Sequence, residues 1–166
     1  QNGRCIERSV QLREFRGSRI LINRMNSEIL QKLARYCAYQ ERCVQELEQK
    51  MQTFEVSPSE YSEYLAWLSE NNYLNEARFV EIFVRSKFNQ KSWGRTKINY
   101  ELRKRGISAS LLASAWDGID DADYIEKART VLKKKRDEIK TGTSPQRYQK
   151  CYNYGLSKGY ESSLAV

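Results

Sequence analysis

Apolar residues recur at helical spacing along most of the chain from residue 27 onward. Ile29, Leu33 and Cys37 share one face of a first amphipathic helix, and Leu47 and Met51 share the face of a second. No run of residues alternates between apolar and polar positions in the way that a half-buried strand does. The pattern therefore predicts an all-α fold.

Residues typical of helix starts and helix ends mark the boundaries of these predicted helices. Ser57-Pro58-Ser59-Glu60 combines an N-cap serine, a proline in the first turn and a glutamate that can bond back to the cap amide. Ser144-Pro145 repeats this opening, and Gly106 and Gly159 stand where a left-handed residue ends a helix. Further helices are predicted to begin near Asn75, Gly94, Ser108 and Asp120, and a ninth near Glu161.

The predicted helices form an internal repeat of about fifty residues. Leu47 corresponds to Ile98 at an offset of 51, and Gly106 to Gly159 at an offset of 53. Because no unit can bury its apolar stripe alone, we expect three tandem three-helix repeats in an elongated, curved, monomeric array. The predicted segments are a basic N-terminal arm or extension over residues 1–26 and helical repeats over 27–74, 75–118 and 119–166.

Composition excludes several classes of protein. The 166 residues are 40% hydrophobic and 30% charged, with 2 prolines, which excludes collagen-like and low-complexity chains. The absence of histidine removes the usual general base, so catalysis is not expected. No apolar stretch reaches the ~18 residues of a membrane span. Without a CxxC pair or a recognisable signal segment, a reduced cytoplasmic protein is expected, with Cys37, Cys43 and Cys151 packed within helices.

Charge is distributed in blocks along the chain, which carries a net charge of +8. Residues 25–84 contain five basic and ten acidic residues, whereas residues 85–105 contain eight basic residues and one acidic residue. Residues 129–140 add six basic and two acidic residues. Positive charge is therefore concentrated in the second repeat, with a second cluster in the third.

These basic clusters are the candidate binding surfaces. Arg95, Arg103 and Lys104 recur close to helical phase and are expected to share an exposed face that could hold phosphates or carboxylates. Tyr100 falls beside this face, whereas the position of Trp93 is left open. The predicted partner-binding or nucleic-acid-binding residues are Arg85, Lys87, Lys91, Arg95, Lys97, Tyr100, Arg103, Lys104, Arg105, Lys133, Lys134, Lys135 and Arg136.

Other candidate groups have simpler interpretations. The sequence from Asp120 to Asp123 could form a divalent-metal cluster, but an N-cap followed by acidic first-turn residues is simpler. No phosphate-binding loop or dinucleotide fingerprint is present. We therefore predict no metal site, no cofactor and no catalytic residue. Four tyrosines lie on apolar stripes and are expected in the core: Tyr61, Tyr64, Tyr148 and Tyr152.

The second repeat resembles the central repeat of the RecX family. It reads NNYLNEARF over 71–79, WGRTKI over 93–98 and ELRKRGI over 101–107. RecX proteins typically have a Gly-Tyr-Leu-Asn-Asp turn here, followed by a Gly-x-x-x-Ile-x-x-Glu-Leu-x-x-Lys-Gly-Ile helix. Asn72 replaces the glycine of that turn, and Glu76 its aspartate. Residues 43–51 and Gly159-Tyr160 resemble the first and third repeats of the family more weakly.

This resemblance implies a cytoplasmic regulator of the RecA recombinase in DNA repair and recombination. Members of the family lie along the groove of the RecA-DNA filament and inhibit strand exchange and ATP hydrolysis, so the implied partners are the RecA filament and single- or double-stranded DNA. Two alternatives stay open at this point. One is a free-standing helical nucleic-acid-binding module, and the other is an enzyme with an unrecognised site.

Overall fold

The structure, a computed structural model, describes residues 25–164. No strand occurs in this range, so the predicted all-α class is confirmed. The arm predicted over residues 1–26 lies outside the described residues except for Met25 and Asn26. The helices are α1 (Ser27–Tyr39), α2 (Val44–Thr53), α3 (Tyr61–Glu70), α4 (Glu76–Lys91), α5 (Arg95–Lys104), α6 (Ala109–Ser114), α7 (Asp121–Glu138) and α8 (Ser144–Lys158), with a 3-10 turn at Pro58–Glu60.

The described chain divides into two compact units at the junction between residues 75 and 76. In the first unit, α1, α2 and α3 enclose a core in which Leu33, Leu47 and Leu68 are completely buried. Tyr64 belongs to this core, and its hydroxyl accepts a 2.9 Å hydrogen bond from the amide of Asn26. The start of α1 is therefore fixed to α3.

The second unit, formed by α4 to α8, has an aromatic centre. The ring of Tyr124 lies 5.9 Å from Phe88 and 5.8 Å from both Trp116 and Tyr160, distances typical of favourable aromatic pairs. Burial raises the pKa of Tyr160 to about 12 and holds the pKa of Tyr124 well above its usual value. Ionising either phenol is therefore more costly than ionising an exposed tyrosine.

The middle helix of each repeat ends in the same way. Glu55 after α2, Gly106 after α5 and Gly159 after α8 have φ values of 58°, 75° and 89°. In each case the next amide donates a hydrogen bond of 3.1–3.2 Å to the carbonyl five residues before it. The offsets of 51 and 53 residues therefore relate equivalent backbone positions.

The two proline-containing helix starts are similar but not identical. Ser57 forms the predicted capping box with Glu60, which opens the 3-10 turn leading into α3. The later helix begins at Ser144 as predicted, but its N-cap is Thr143 and not Ser144, and Thr143 forms the capping box with Gln146. Proline suits the second position of α8 because its amide would have had no partner within the helix.

Three further predictions need correction within the described residues. Residues 161–164 form a single turn, closed by the amide of Leu164 on the carbonyl of Glu161 at 2.9 Å, and not the start of a ninth helix. Tyr148 is 51% exposed rather than part of the core, because all residues from 141 to 150 are exposed and no other element covers the start of α8. Cys43 is buried as predicted but precedes α2 at its N-cap.

Candidate functional site

The C-terminus of α8 meets the N-terminus of α5 at a close backbone contact within the second unit. The amide of Gly94 donates to the carbonyl of Lys158 at 2.9 Å, and the amide of Thr96 donates to the carbonyl of Gly159 at 3.0 Å. A Cβ on Gly94 would lie 2.2 Å from the carbonyl oxygen of Gly159, and a Cβ on Gly159 would lie 2.5 Å from the amide nitrogen of Lys97. The contact therefore leaves no room for a side chain at either glycine. Because free amides of one helix meet free carbonyls of another, the two helix dipoles attract.

Lysines and aromatic rings alternate around this junction. The ring centre of Trp93 lies 5.3 Å from Nζ of Lys87 and 4.8 Å from Nζ of Lys97. On the α8 side, the ring of Tyr154 lies 5.5 Å from Nζ of Lys158 and 5.1 Å from Nζ of Lys135. Distances of this size are typical of cation–π contacts, each of which contributes about 0.5–2 kcal/mol.

Lysine side chains also join the two parts directly. Nζ of Lys97 donates to the carbonyl of Ser157 at 3.0 Å, and Nζ of Lys158 donates to the carbonyl of Lys91 at 3.4 Å. We refer to this connected surface as the cation–aromatic track. It consists of Lys87, Trp93, Lys97, Lys158, Tyr154 and Lys135.

The track carries an excess of positive charge. All six of its residues are half-buried, so the rings and backbone carbonyls hold the ammonium groups in place while part of each remains accessible. Within residues 25–164, Lys135 is the member of the track with a carboxylate partner, Glu138, at 3.5 Å. The surface is therefore suited to an anionic partner, whether that partner carries phosphates or carboxylates.

The sequence predicted that Arg95 lies on an exposed face, but in the structure the fold covers part of this side chain. Its guanidinium pairs with Asp121 and lies 4.3 Å from the ring of Tyr124 and 5.3 Å from that of Trp116. Its amide donates to the hydroxyl of Tyr124 at 3.0 Å, and that hydroxyl in turn donates to Glu161 at 2.8 Å. Arg95 therefore links α5 to α7 within the fold, because the start of α7 covers the face that helical phase alone left open.

Arg105 is likewise engaged inside the unit. Its guanidinium lies 2.7 Å from a carboxylate oxygen of Glu101 and 5.0 Å from the ring centre of Phe83. The hydrogen bond from Arg105 lowers the pKa of Glu101 below its usual value. Like Arg95, Arg105 has much of its charge satisfied by the fold.

The remaining predicted residues occupy different environments. Tyr100 is 63% exposed. Arg85 pairs with Glu81 at 3.1 Å and Arg136 with Asp137 at 3.4 Å, and both pairs are exposed. Five further predicted residues are exposed: Lys91, Arg103, Lys104, Lys133 and Lys134.

Sequence reasoning did not identify Lys158 and Tyr154. The signal was present in the repeat, because Tyr154 and Lys158 stand 53 residues after Glu101 and Arg105. Both pairs lie in the last turns of a middle helix and both include a cation. Trp93, whose position the sequence left open, lies between two of the lysines.

The first unit contains an equivalent arrangement in which rings and cations have changed places. Nζ of Lys32 on α1 lies 5.7 Å from the ring of Phe54 beyond α2, and 51 residues later Phe83 faces Arg105. The guanidinium of Arg42 lies 3.9 Å from the ring of Tyr36, and 51 residues later Trp93 faces Lys87. The seam between the first and middle helix is thus closed by cation–aromatic contacts in both repeats.

The fold and this surface define a class: a helical repeat protein built from three-helix modules, with a cationic, aromatic-lined surface. Two family models match the chain, described as "RecX, second three-helix domain" over residues 75–115 and "RecX, third three-helix domain" over residues 121–165. A regulatory protein RecX of Pasteurella multocida is 31% identical over 140 residues, which cover 84% of each chain. The chain belongs to the RecX family.

Other relatives carry the same name. A regulatory protein RecX of Cronobacter sakazakii is 27% identical over 144 residues, covering 81% of this chain and 86% of the relative. Relatives from Clostridium perfringens and Bacillus cytotoxicus are longer, and the matched region spans 46% and 59% of their lengths. The chain thus spans about half the length of these two relatives.

Solved structures share the fold. The crystal structure of RecX from Lactobacillus salivarius superposes with a TM-score of 0.74 at 23% identity, covering 84% of this chain and 90% of that one. A second crystal structure of regulatory protein RecX gives a TM-score of 0.77 at 20% identity, covering 82% and 69%. None of the helices between residues 25 and 164 combines the length and apolar character of a membrane span, and no group of potential metal ligands is found in that range.

Proposed function

We propose that this protein regulates the RecA recombinase by binding the RecA-DNA filament, and that it inhibits strand exchange and ATP hydrolysis. Membership of a family whose relatives are named regulatory protein RecX supports this proposal. The observation that carries it is the cation–aromatic track, which joins the second and third repeats in one cationic surface. A nucleoprotein filament offers both DNA phosphates and protein carboxylates to such a surface.

The geometry of the track favours binding in two ways. Its lysines are already held by rings and carbonyls, so binding costs less of the roughly 0.5–1.5 kcal/mol that immobilising a mobile side chain requires. Its charges are only partly desolvated, so an arriving anion is attracted while the lysines keep some water. Inhibition further requires that the protein bind one state of the filament more tightly than another, since a ligand shifts an equilibrium only by its differential affinity.

The test is the rate of DNA-dependent ATP hydrolysis by RecA with sub-stoichiometric amounts of this protein. Wild type should suppress the rate. The variant Lys87→Gln/Lys97→Gln removes both lysines that face Trp93 and should suppress it much less.

A matched control is available in the first unit. Lys32 and Lys50 face the ring of Phe54 at 5.7 and 4.9 Å, so Lys32→Gln/Lys50→Gln removes the same charge and the same kind of contact. This variant should inhibit RecA as wild type does. Equal inhibition by all three folded proteins would reject the track, whereas DNA binding without any effect on RecA would favour a free-standing nucleic-acid-binding module.

A further inference from the structure

A groove of about 1480 Å³ opens between the C-terminal half of α7 and the start of α8. It exceeds the roughly 300–1,000 Å³ of sites for small molecules, so its size fits a segment of a polymer. Three carboxylates line it, and two of them are paired, Asp137 with Arg136 and Glu138 with Lys135. Six cations also line it: Arg129, Lys133, Lys134, Arg136, Lys140 and Arg147.

An open aromatic platform lies in the same groove. Tyr148 lines it, is 51% exposed, and stacks on Tyr152 with ring centres 6.2 Å apart and planes at 16°. Residues 141–150 are all exposed, so the first turns of α8 leave the outer face of Tyr148 uncovered. The groove thus combines cationic walls with a ring that can accept a second planar group.

We propose that this α7–α8 groove binds single-stranded nucleic acid, with phosphates held by its arginines and lysines and one base stacked on Tyr148. The inference rests on the proposed function, because it names the DNA strand of the filament as the partner of this surface. Cations alternating with open aromatic rings are typical of surfaces that bind single strands. An acidic polypeptide would pair with the cations but offers no base to stack on Tyr148. The bases of a duplex are stacked on one another and so are not free to stack on this ring.

The first test is fluorescence anisotropy of a labelled oligothymidylate titrated with the full chain at low salt. Tyr148→Ala should weaken binding roughly tenfold, the effect of losing one base–ring stack, whereas Tyr148→Phe should bind as wild type. Tyr39→Ala is the control, because Tyr39 is 85% exposed on α1 and should not affect binding. Unchanged affinity of Tyr148→Ala, or equal affinity for a duplex of the same length, overturns the proposal.

Salt dependence tests the cationic walls separately. For single strands, each phosphate contact contributes roughly 0.7 to the slope of log affinity against log salt. Lys133→Gln/Arg147→Gln should therefore lower the slope by about 1.4 if each side chain meets one phosphate. An unchanged slope in this variant places the phosphates elsewhere and overturns the assignment.

Protection of Cys151 from a thiol reagent reports occupancy of the groove, because Cys151 lines the groove and is half-buried, whereas Cys37 and Cys43 are buried. In a Cys5→Ser background, saturating oligothymidylate should slow the reaction of Cys151 with a thiol reagent several-fold. If poly-glutamate protects Cys151 as well and displaces the oligonucleotide at the same concentration, the groove is a site for acidic polypeptides and the proposal fails.

Oligonucleotide binding and RecA inhibition, measured side by side on the wild type, separate the two proposals. If wild type inhibits RecA but does not bind the oligonucleotide, the groove proposal fails and the proposed function stands. If wild type binds the oligonucleotide through Tyr148 but leaves RecA unaffected, the groove stands as a nucleic-acid site and the proposed function fails.

Discussion

Replacing Gly159 with alanine should destabilise the second unit far more than the same replacement at Gly106. Both residues have positive φ, 89° and 75°, so both substitutions carry a backbone cost of about 1–2 kcal/mol. Their surroundings differ. A Cβ at Gly106 would meet no atom within 4 Å, whereas a Cβ at Gly159 would lie 2.5 Å from the amide nitrogen of Lys97.

The difference between the two variants isolates the cost of separating α8 from α5. Overpacking at a rigid contact costs about 1–3 kcal/mol. The bond from Thr96 to Gly159, 3.0 Å long, would lengthen or break, at a cost of about 1 kcal/mol. We therefore expect a loss of about 3–6 kcal/mol for Gly159→Ala, against about 1–2 kcal/mol for Gly106→Ala.

Urea unfolding followed by tryptophan fluorescence measures both losses. In a Trp67→Phe background, the signal comes from Trp93 and Trp116, which belong to the second unit. Gly94→Ala is a third variant for comparison. Gly94 has an ordinary φ of −84°, so its replacement carries the cost of the steric clash without the backbone cost of a positive φ. Equal losses at Gly159 and Gly106, or no loss at Gly94, would refute the reasoning.

Two further predictions concern the aromatic centre of the second unit. Arg95→Ala should lower the free energy of unfolding by about 1–2 kcal/mol, because the variant loses the contacts of Arg95 with Asp121, Tyr124 and Trp116. The control Arg103→Ala, at an exposed position, should change the free energy of unfolding by less than about 0.5 kcal/mol. Equal urea midpoints for the two variants would contradict this prediction. Tyr160→Phe should leave the protein as stable near pH 7 or more stable by about 1 kcal/mol, because the hydroxyl of Tyr160 is buried without a hydrogen-bond partner among residues 25–164. Since the pKa of Tyr160 is raised to about 12, the phenol ionises first in the unfolded chain, and wild type should lose stability between pH 10 and 12. The decline should be shallower in Tyr160→Phe, and superimposable curves of stability against pH would show that burial of this phenol is not its cause.

Local signals along the sequence were sufficient for the helices. Apolar periodicity located every helix from α1 to α8, and Ser57, Gly106 and Gly159 occupy the capping positions predicted for them. Asn72, in place of the family's glycine, has φ of 60°, which asparagine tolerates better than most residues. Such features depend on neighbours within about five residues, and a single sequence contains those neighbours.

Contacts between distant segments were not accessible in the same way. Helical phase placed Arg95 on an outer face of α5, but Asp121 and Tyr124 of the following repeat cover it. The track depends on Trp93 and Tyr154 being brought to one junction, and the spacing within either helix does not reveal that proximity. Tyr148 was misplaced for a different reason, because its apolar stripe predicts burial along the whole of α8, whereas residues 141–150, around the start of that helix, are all exposed.

The exchange of rings and cations between the first two repeats has a consequence for how such repeats diverge. A cation–ring contact stabilises the packing of two helices whichever of them contributes the ring. The contact between the first and middle helix therefore requires one ring and one cation in the pair, but does not fix which position holds which. Lys32 and Phe83 differ in chemical type, as do Phe54 and Arg105, yet the cation–ring contact is kept between the first two repeats. Exchanging one partner would set two rings or two like charges against each other, and exchanging both restores the contact. Comparing the first two repeats one position at a time therefore underestimates their similarity, because the similarity lies in pairs of contacting residues.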